Sequence, residues 1–162
     1  MILDELIYDR TIADVNHVLT LIKKGYDGMT ETEKIEWNSD LKGALNASDL
    51  NRVLAACEYV AEQMKKYGYY ARFKEARPAG KEWTENDMMT EELMANWLYN
   101  IKQALQFGAV LDLPITTQRL DYIGQNNIEK HLYNAAQYVT NGETVKVHVG
   151  MMVTGNQGGL RR

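Results

Sequence analysis

One long amphipathic segment, residues 46–67, constrains the fold of this chain more than any other feature. Its apolar positions recur every three or four residues, a spacing that predicts an α-helix with one broad buried face. These positions are Leu50, Val53, Leu54, Cys57, Val60, Ala61 and Met64. Asn46 or Ser48 can cap the first turn, and Gly68 follows the last turn, where such a helix ends. We expect the other segments to pack around this central helix.

Two helices are predicted before the central one. Thr11 caps a helix that runs to about Lys24, and Thr30 begins a capping-box sequence that opens a short helix to about Leu41. The first of these helices is expected to bury one side, made of Ile12, Val15, Val18, Leu19 and Ile22.

Further helices are predicted after the central one. One begins at Thr84 or Thr90 and ends near Phe107, and two weaker pieces cover residues 117–123 and 126–139. Trp37 and Trp97 fall on the apolar stripes of their own helices. We therefore expect both tryptophans to lie against the central helix.

The clearest strand pattern lies in residues 143–154, which alternate between apolar and other side chains. The apolar row consists of Val145, Val147, Val149, Met151 and Val153. Residues 67–74 alternate over a shorter length, which favours a short strand or an extended crossing. A single strand leaves an open edge, so the row is a candidate interface for another copy of the chain.

These elements predict a mainly α protein, a bundle of about five to six helices with a small β element at the C-terminus. Residues 1–142 would form the helical domain, with an internal boundary near residues 76–82, where a Pro–Ala–Gly turn occurs. Residues 143–162 would form the C-terminal strand and a flexible, glycine-rich tail.

Composition narrows the class of protein. The chain has 162 residues, a net charge of −4 and one cysteine. Phosphate contacts need clustered Lys and Arg, so this charge disfavours nucleic acid as a partner. One cysteine excludes an internal disulfide, and no run approaches the roughly 20 apolar residues of a transmembrane helix, so we expect no membrane insertion.

The residues that could carry chemistry do not form a recognisable set. They are His17, His131, His148, Cys57, Asp112, Asp121 and Glu129. The histidines have no mutual spacing of three or four residues, Cys57 lies on the apolar face of the central helix, and the carboxylates form no pair. Residues 155–159 lack the Lys–Ser/Thr of a phosphate-binding loop. We therefore predict no catalytic, cofactor or metal site, and no enzyme.

An aromatic cluster is the other candidate interface. It consists of Tyr67, Tyr69, Tyr70, Phe73 and Trp83. These rings either clamp an extended segment across the helices or form a surface that stacks on a protein chain, a sugar or a base. Among the binding alternatives, protein–protein contact ranks first. The acidic charge disfavours nucleic acid, and no Asp/Asn-rich loop indicates a sugar or calcium site.

Four segments, in order, resemble a known family. They read DRTIADVNHV from Asp9, MTETEKIEWNSDLKGALNASDLNRVLAACEYVAE from Met29, KEWTENDMMTEELMANWLYNIKQAL from Lys81, and LPITTQRLDYIGQNNIEKHLYNA from Leu113. Together they are similar to a helical module of tailed bacteriophages and of prophages in Gram-positive bacteria, found in tail and other minor virion structural proteins. The resemblance covers roughly residues 9–139, and its most specific part runs from Trp37 to Arg52.

The resemblance implies a noncatalytic structural component of a phage virion, in the tail, baseplate or connector region. Its location would be the virion, assembled in the cytoplasm of the host bacterium, and its partners would be other virion proteins and further copies of itself as a homo-oligomer. Two alternatives stay open. One is a small intracellular helical adaptor or regulator, and the other is a receptor- or glycan-binding module that uses the aromatic cluster.

Overall fold

The computed structural model describes residues 2–106 and 120–140, and this part of the chain is mainly helical, as predicted. Its α-helices are α1 (Ile12–Lys24), α2 (Glu31–Trp37), α3 (Ala47–Lys65), α4 (Glu91–Leu105) and α5 (Tyr122–Thr140). Short 3₁₀ helices occur at Ile2–Glu5, Tyr26–Gly28 and Pro78–Gly80. None of the helices in the described ranges is both long and apolar enough to cross a membrane.

Helix α3 is the centre of the main hydrophobic core, since it packs against both α4 and α5. The predicted apolar face of this helix is confirmed, because every one of its seven positions is buried. The partners of α3 supply the other half of the core: Met94, Trp97, Leu98, Ile101 and Leu105 from α4, and Ile128, Leu132, Ala136 and Val139 from α5. Burial of these side chains drives the three helices together.

Local polar contacts start two of the helices where the sequence predicts. Thr11 caps α1 and exchanges hydrogen bonds with Asp14, and Thr30 caps α2 and exchanges hydrogen bonds with Glu33. Lys24, at the end of α1, also hydrogen bonds Glu33. This bond, together with the Thr30 backbone amide, lowers the pKa of Glu33 to about 2. Glu33 therefore stays ionised over most of the acid pH range, and its ion pair with Lys24 joins α1 to α2 there.

A second, smaller core lies between α1, α2 and the loop after α2. It contains the buried residues Val18, Leu21, Met29 and Leu41, with Trp37 packed against them. The prediction that Trp37 lies against the central helix is wrong in this respect, whereas Trp97 is buried and its Nε1 donates to the Leu50 carbonyl at 3.2 Å. The predicted buried side of α1 is correct for Val18 but wrong for Ile12, Leu19 and Ile22, which are exposed. The α2–loop unit covers the face centred on Val18 and Leu21 instead.

Gly43 makes the close contact between α1 and the loop after α2 possible. A Cβ atom at this position would lie 2.2 Å from the carbonyl oxygen of Asp14, closer than two atoms can approach. Beside it, the Lys42 ammonium pairs with Asp9 at 2.8 Å. Residues 42 and 43 therefore hold the start of α1 against the loop, and any larger side chain at Gly43 would push them apart.

Residues 67–74 form no strand: residues 67 and 68 lie in a turn after α3, and residues 69–74 have no regular secondary structure. Side-chain amides of α4 take the role of a partner strand: the Asn100 amide bonds both the N–H and the C=O of Lys74 at 2.8 Å, and Asn96 donates to the Glu75 carbonyl at 2.8 Å. These bonds engage the backbone of Lys74 and Glu75 without a second strand.

The remaining predicted elements differ in their bounds. Helix α2 ends at Trp37, short of Leu41, and α4 begins at Glu91 with Thr90 as its cap. Residues 126–139 belong to the longer helix α5. The strand at residues 143–154 and the tail at 155–159 lie outside the described residues, so the predicted C-terminal β element stays a prediction. Of the predicted piece at 117–123, residues 117–119 also lie outside them, whereas Tyr122 and Ile123 belong to α5.

Iodide quenching of tryptophan fluorescence should separate the three tryptophans. Trp83 and Trp97 are buried in the main core, whereas Trp37 is half-buried at the second core. We expect blue-shifted emission with a small component that iodide quenches. Trp37→Phe should remove this component, whereas Trp97→Phe should leave its amplitude unchanged. Strong quenching of all three tryptophans in the native protein would contradict this placement.

Candidate functional site

Four charged side chains meet in the interior, where residues 2–10 (the N-terminal arm), α3 and α5 come together. Arg10 Nη2 lies 2.9 Å from Asp49 Oδ1 and 2.8 Å from Glu129 Oε1. Arg52 binds the same two carboxylates: its Nε donates to Glu129 Oε2 at 3.0 Å, and its Nη2 donates to Glu129 Oε1 at 3.0 Å and also to Asp49. We call these residues the buried charge cluster, since no side chain in it is more than 10% exposed.

The backbone of the N-terminal arm adds further hydrogen bonds to this cluster. The Ile7 N–H donates to Glu129 Oε2 at 2.6 Å, and Arg10 Nη1 donates to the Ile7 carbonyl at 2.5 Å. The Asn126 amide accepts from the Arg10 N–H at 3.0 Å and donates to the Arg10 carbonyl at 2.8 Å. Both the side chain and the backbone of Arg10 are therefore tied to α5.

The charges in the cluster balance, two cations against two carboxylates. Burial opposes the charge of Arg52, but its hydrogen bonds and ion pairs with Glu129 and Asp49 outweigh that effect and raise its pKa. Asp49 also accepts from the Asn46 N–H at 2.9 Å, so it anchors the start of α3 as well. The cluster thus acts as an ionic cross-link of the arm, α3 and α5, because each carboxylate is already engaged by several donors.

The cluster draws its residues from three parts of the chain that are far apart in sequence. Arg10 precedes α1, Asp49 and Arg52 lie on α3, and Glu129 lies on α5. A related contact joins α3 to the segment before α4: the Asn51 amide accepts from the Trp83 N–H at 2.8 Å and donates to the Trp83 carbonyl at 2.9 Å. These polar residues therefore hold the fold together.

The predicted aromatic cluster is divided between the core and the surface. Trp83 is 4% exposed and its Nε1 donates to the Ala76 carbonyl at 3.0 Å, while Tyr67 and Tyr69 pack against the main core. Tyr70 and Phe73 are exposed, at 69% and 37%. Of the five rings, these two are the ones left for contact with a partner. The other candidate interface, the apolar row from Val145 to Val153, lies outside the described residues.

An open cleft of about 400 Å³ lies between the loop after α2 and residues 84–89. Its apolar wall includes Trp37, Leu50 and Met89, and its carboxylates are Asp40, Glu85 and Asp87. Hydrogen bonds from the Thr84 side chain and backbone lower the pKa of Asp87. The cleft is lined by no Lys or Arg side chain among the residues that the structure describes, so its potential favours cations over anions.

Cys57, His17 and His131 lie in separate environments, while His148 and Asp112 lie outside the described residues. Cys57 borders a cavity of about 250 Å³ beside Phe73, but burial raises the pKa of its thiol, which keeps it protonated and unreactive. His17 is exposed, and its Nε2 lies 2.8 Å from Glu36 Oε1. Partial burial, and to a smaller extent the charge of Lys130, lowers the pKa of His131. Within residues 2–106 and 120–140, no group of three His, Cys, Asp or Glu side chains is placed to hold a metal ion.

In comparisons with known proteins, no family model, no curated protein and no solved structure matches this chain.

Proposed function

We propose that this chain is a noncatalytic structural protein of a tailed-phage virion, located in the tail, baseplate or connector region. It acts in assembly through contacts with other virion proteins and with copies of itself. The virion assignment rests on the sequence resemblance that spans roughly residues 9–139. The mode of action, protein–protein contact, rests on the surface of the folded chain.

The observation that carries this mode of action is the set of large apolar side chains left in solvent. They are Tyr8, Ile12, Leu19, Ile22, Tyr26, Ile35, Leu45, Tyr70, Phe73, Met88, Ile123 and Tyr138. A single exposed apolar residue, such as Ile35 on α2, is ordinary, whereas several on one helix, such as Ile12, Leu19 and Ile22 on α1, are typical of protein–protein contact surfaces. The exposed apolar residues of this protein lie on a fold whose buried charges are paired, as a rigid structural subunit requires.

Two alternatives use the same surface differently. An intracellular adaptor or regulator would use the exposed apolar residues to bind a host protein. A glycan-binding module would stack sugar rings on exposed aromatics, and the exposure of Tyr70 and Phe73 is the observation that favours it. With Trp83 in the core, however, two rings remain for that role, so protein contact is the better supported use.

Truncation after Asn141 tests the proposed route of assembly. We expect residues 143–154 to add a strand to a neighbouring subunit, because an isolated strand needs a partner for its backbone groups. Since α5 ends at Thr140, the truncated chain should keep nearly all of its helical circular dichroism. It should nevertheless self-associate less than the full chain in sedimentation velocity and fail to enter particles in a complementation assay.

The full chain, expressed from the same plasmid, is the matched control for this truncation. A truncated protein that still assembles normally would remove strand addition from the proposal. One that unfolds would place the strand within the core of its own subunit.

A further inference from the structure

Helix α1 carries a regular apolar stripe on a side that the rest of the described chain leaves open. Ile12, Val15, Leu19 and Ile22 recur at intervals of three, four and three residues. Ile12, Leu19 and Ile22 are 56%, 47% and 55% exposed, and Val15 is half-buried. We call these four residues the α1 stripe. It is distinct from the face of α1 centred on Val18 and Leu21, which the second core buries.

This spacing is that of the seam between two packed helices. Apolar residues separated alternately by three and four positions form one line along a helix, and a second helix covers that line by placing its own side chains between them. The stripe runs from residue 12 to residue 22, a length of roughly 15 Å at about 1.5 Å per residue. A straight helix of similar length is therefore the shape that fits it.

We infer that the α1 stripe is the contact surface for α1 of a second copy of this chain, with the two helices antiparallel. A two-fold axis beside the middle of the stripe then brings Ile12 of each copy opposite Ile22 of the other, and Val15 opposite Leu19. Both halves of the contact come from one surface, so the stripe is self-complementary, as a symmetric dimer requires.

Charges at the two ends of α1 favour the antiparallel direction. Asp9, which pairs with Lys42, and Asp14, which bonds Thr11, lie at its start, and Lys23 and Lys24 lie at its end. Lys24 is already bonded to Glu33, whereas Lys23 is exposed and makes no ion pair with another residue in the part of the chain that the structure describes. An antiparallel pair places Lys23 near the acidic start of its neighbour and opposes the two helix dipoles. A parallel pair would place the two Lys23 side chains together.

The same surface sets the strength of this dimer. One stripe of four apolar side chains on each copy is smaller than a standard stable interface, which buries about 1,200–2,000 Å². The α1 dimer is therefore a weak contact that becomes populated at high local concentration, for example where many copies are held in one assembly. It does not depend on the virion assignment or on strand addition by residues 143–154.

Disulfide trapping between full-length chains tests both the partner and the direction. The single native cysteine, Cys57, is buried, so it does not compete for the oxidant. Differently tagged Ile12→Cys and Ile22→Cys variants are mixed and oxidised, and the expected product is the mixed 12–22 dimer with little of either homodimer. Ile35→Cys, at an exposed apolar position on α2, measures disulfides formed by random collision.

Sedimentation velocity of Leu19→Glu provides the second readout. The wild-type chain should exceed its 18.5 kDa monomer mass at high concentration, and Leu19→Glu should reduce that association while Ile35→Glu does not. If the mixed 12–22 dimer forms no more than the Ile35→Cys control does, the inference is overturned. The α1 stripe would then be covered by another protein, by another segment of this chain or by nothing. Homodimers of Ile22→Cys in place of the mixed product would overturn the antiparallel arrangement.

Discussion

Replacing Glu129 by alanine is expected to lower the free energy of unfolding by about 3–5 kcal/mol, the effect of removing one partner from a buried ion pair. The change leaves Arg10 and Arg52 in the interior with Asp49 as their only carboxylate within the buried charge cluster. It also removes the acceptor of the Ile7 N–H, so the N-terminal arm loses a backbone anchor. The loss should therefore exceed that of an ordinary surface ion pair several-fold.

Urea denaturation followed by circular dichroism measures this loss, and two variants serve as controls. Glu62→Ala removes an exposed pair with Lys65 on α3 and should change stability by no more than about 1 kcal/mol. Glu129→Gln keeps an acceptor of similar shape without the charge, so we expect an intermediate loss. If Glu129→Ala were as stable as Glu62→Ala, the buried charge cluster would have no role in holding the arm to the bundle.

Truncation of Leu54 is expected to cost roughly 2–5 kcal/mol, the range for large-to-small changes in a close-packed core. Leu54 is 2% exposed on the buried face of α3, where it borders the same cavity as Cys57 and Phe73. Cys57→Ser, three residues further along α3, should lower the free energy of unfolding by less, because it removes little volume and adds a hydroxyl without a partner.

Ile35→Ala is the matched control for Leu54→Ala, since Ile35 is also a large aliphatic residue on a helix but is 74% exposed. We expect it to change the unfolding free energy by less than about 0.5 kcal/mol. Melting temperatures that remain unchanged for both Leu54→Ala and Cys57→Ser would show that α3 is not the centre of the core.

Helices whose apolar positions are regular and whose first turn is capped were predictable from the sequence. The face of α3 from Leu50 to Met64 and the caps at Thr11 and Thr30 follow from local spacing alone. The orientation of α1 did not follow, because apolar side chains cover about half of its circumference. Only the contact with Gly43 and the loop around it decides that Val18 and Leu21 turn inward.

The buried charge cluster could not be predicted, since its residues lie far apart along the chain and each one reads as an ordinary surface charge. Long-range packing alone brings Arg10 and Glu129 together. A signal was nevertheless present in part: Glu129 lies beside Ile128, on the side of α5 that also carries Leu132. A charge in that position is buried and needs a partner.

The extended segment after α3 shows a similar limit. The alternation in residues 67–74 predicted a short strand or an extended crossing, and it did not indicate which groups bond the backbone there. The actual partners, Asn96 and Asn100, are one turn apart on a helix otherwise rich in apolar residues. Asn side chains one turn apart on one helical face therefore indicate a site that bonds the backbone of another segment. Single Asn side chains do the same elsewhere: Asn51 bonds the backbone of Trp83, and Asn126 bonds the backbone of Arg10.

Quantitative mass spectrometry of purified phage particles tests the proposed function most directly. Particles are isolated by density gradient and washed at high salt, and peptides of this chain are counted against a known capsid protein and against an abundant cytosolic protein of the host. The proposal predicts that the chain is retained at several copies per particle, well above the cytosolic control. A chain that is absent from washed particles, or present only at the level of that control, would contradict a structural role in the virion and favour the adaptor alternative.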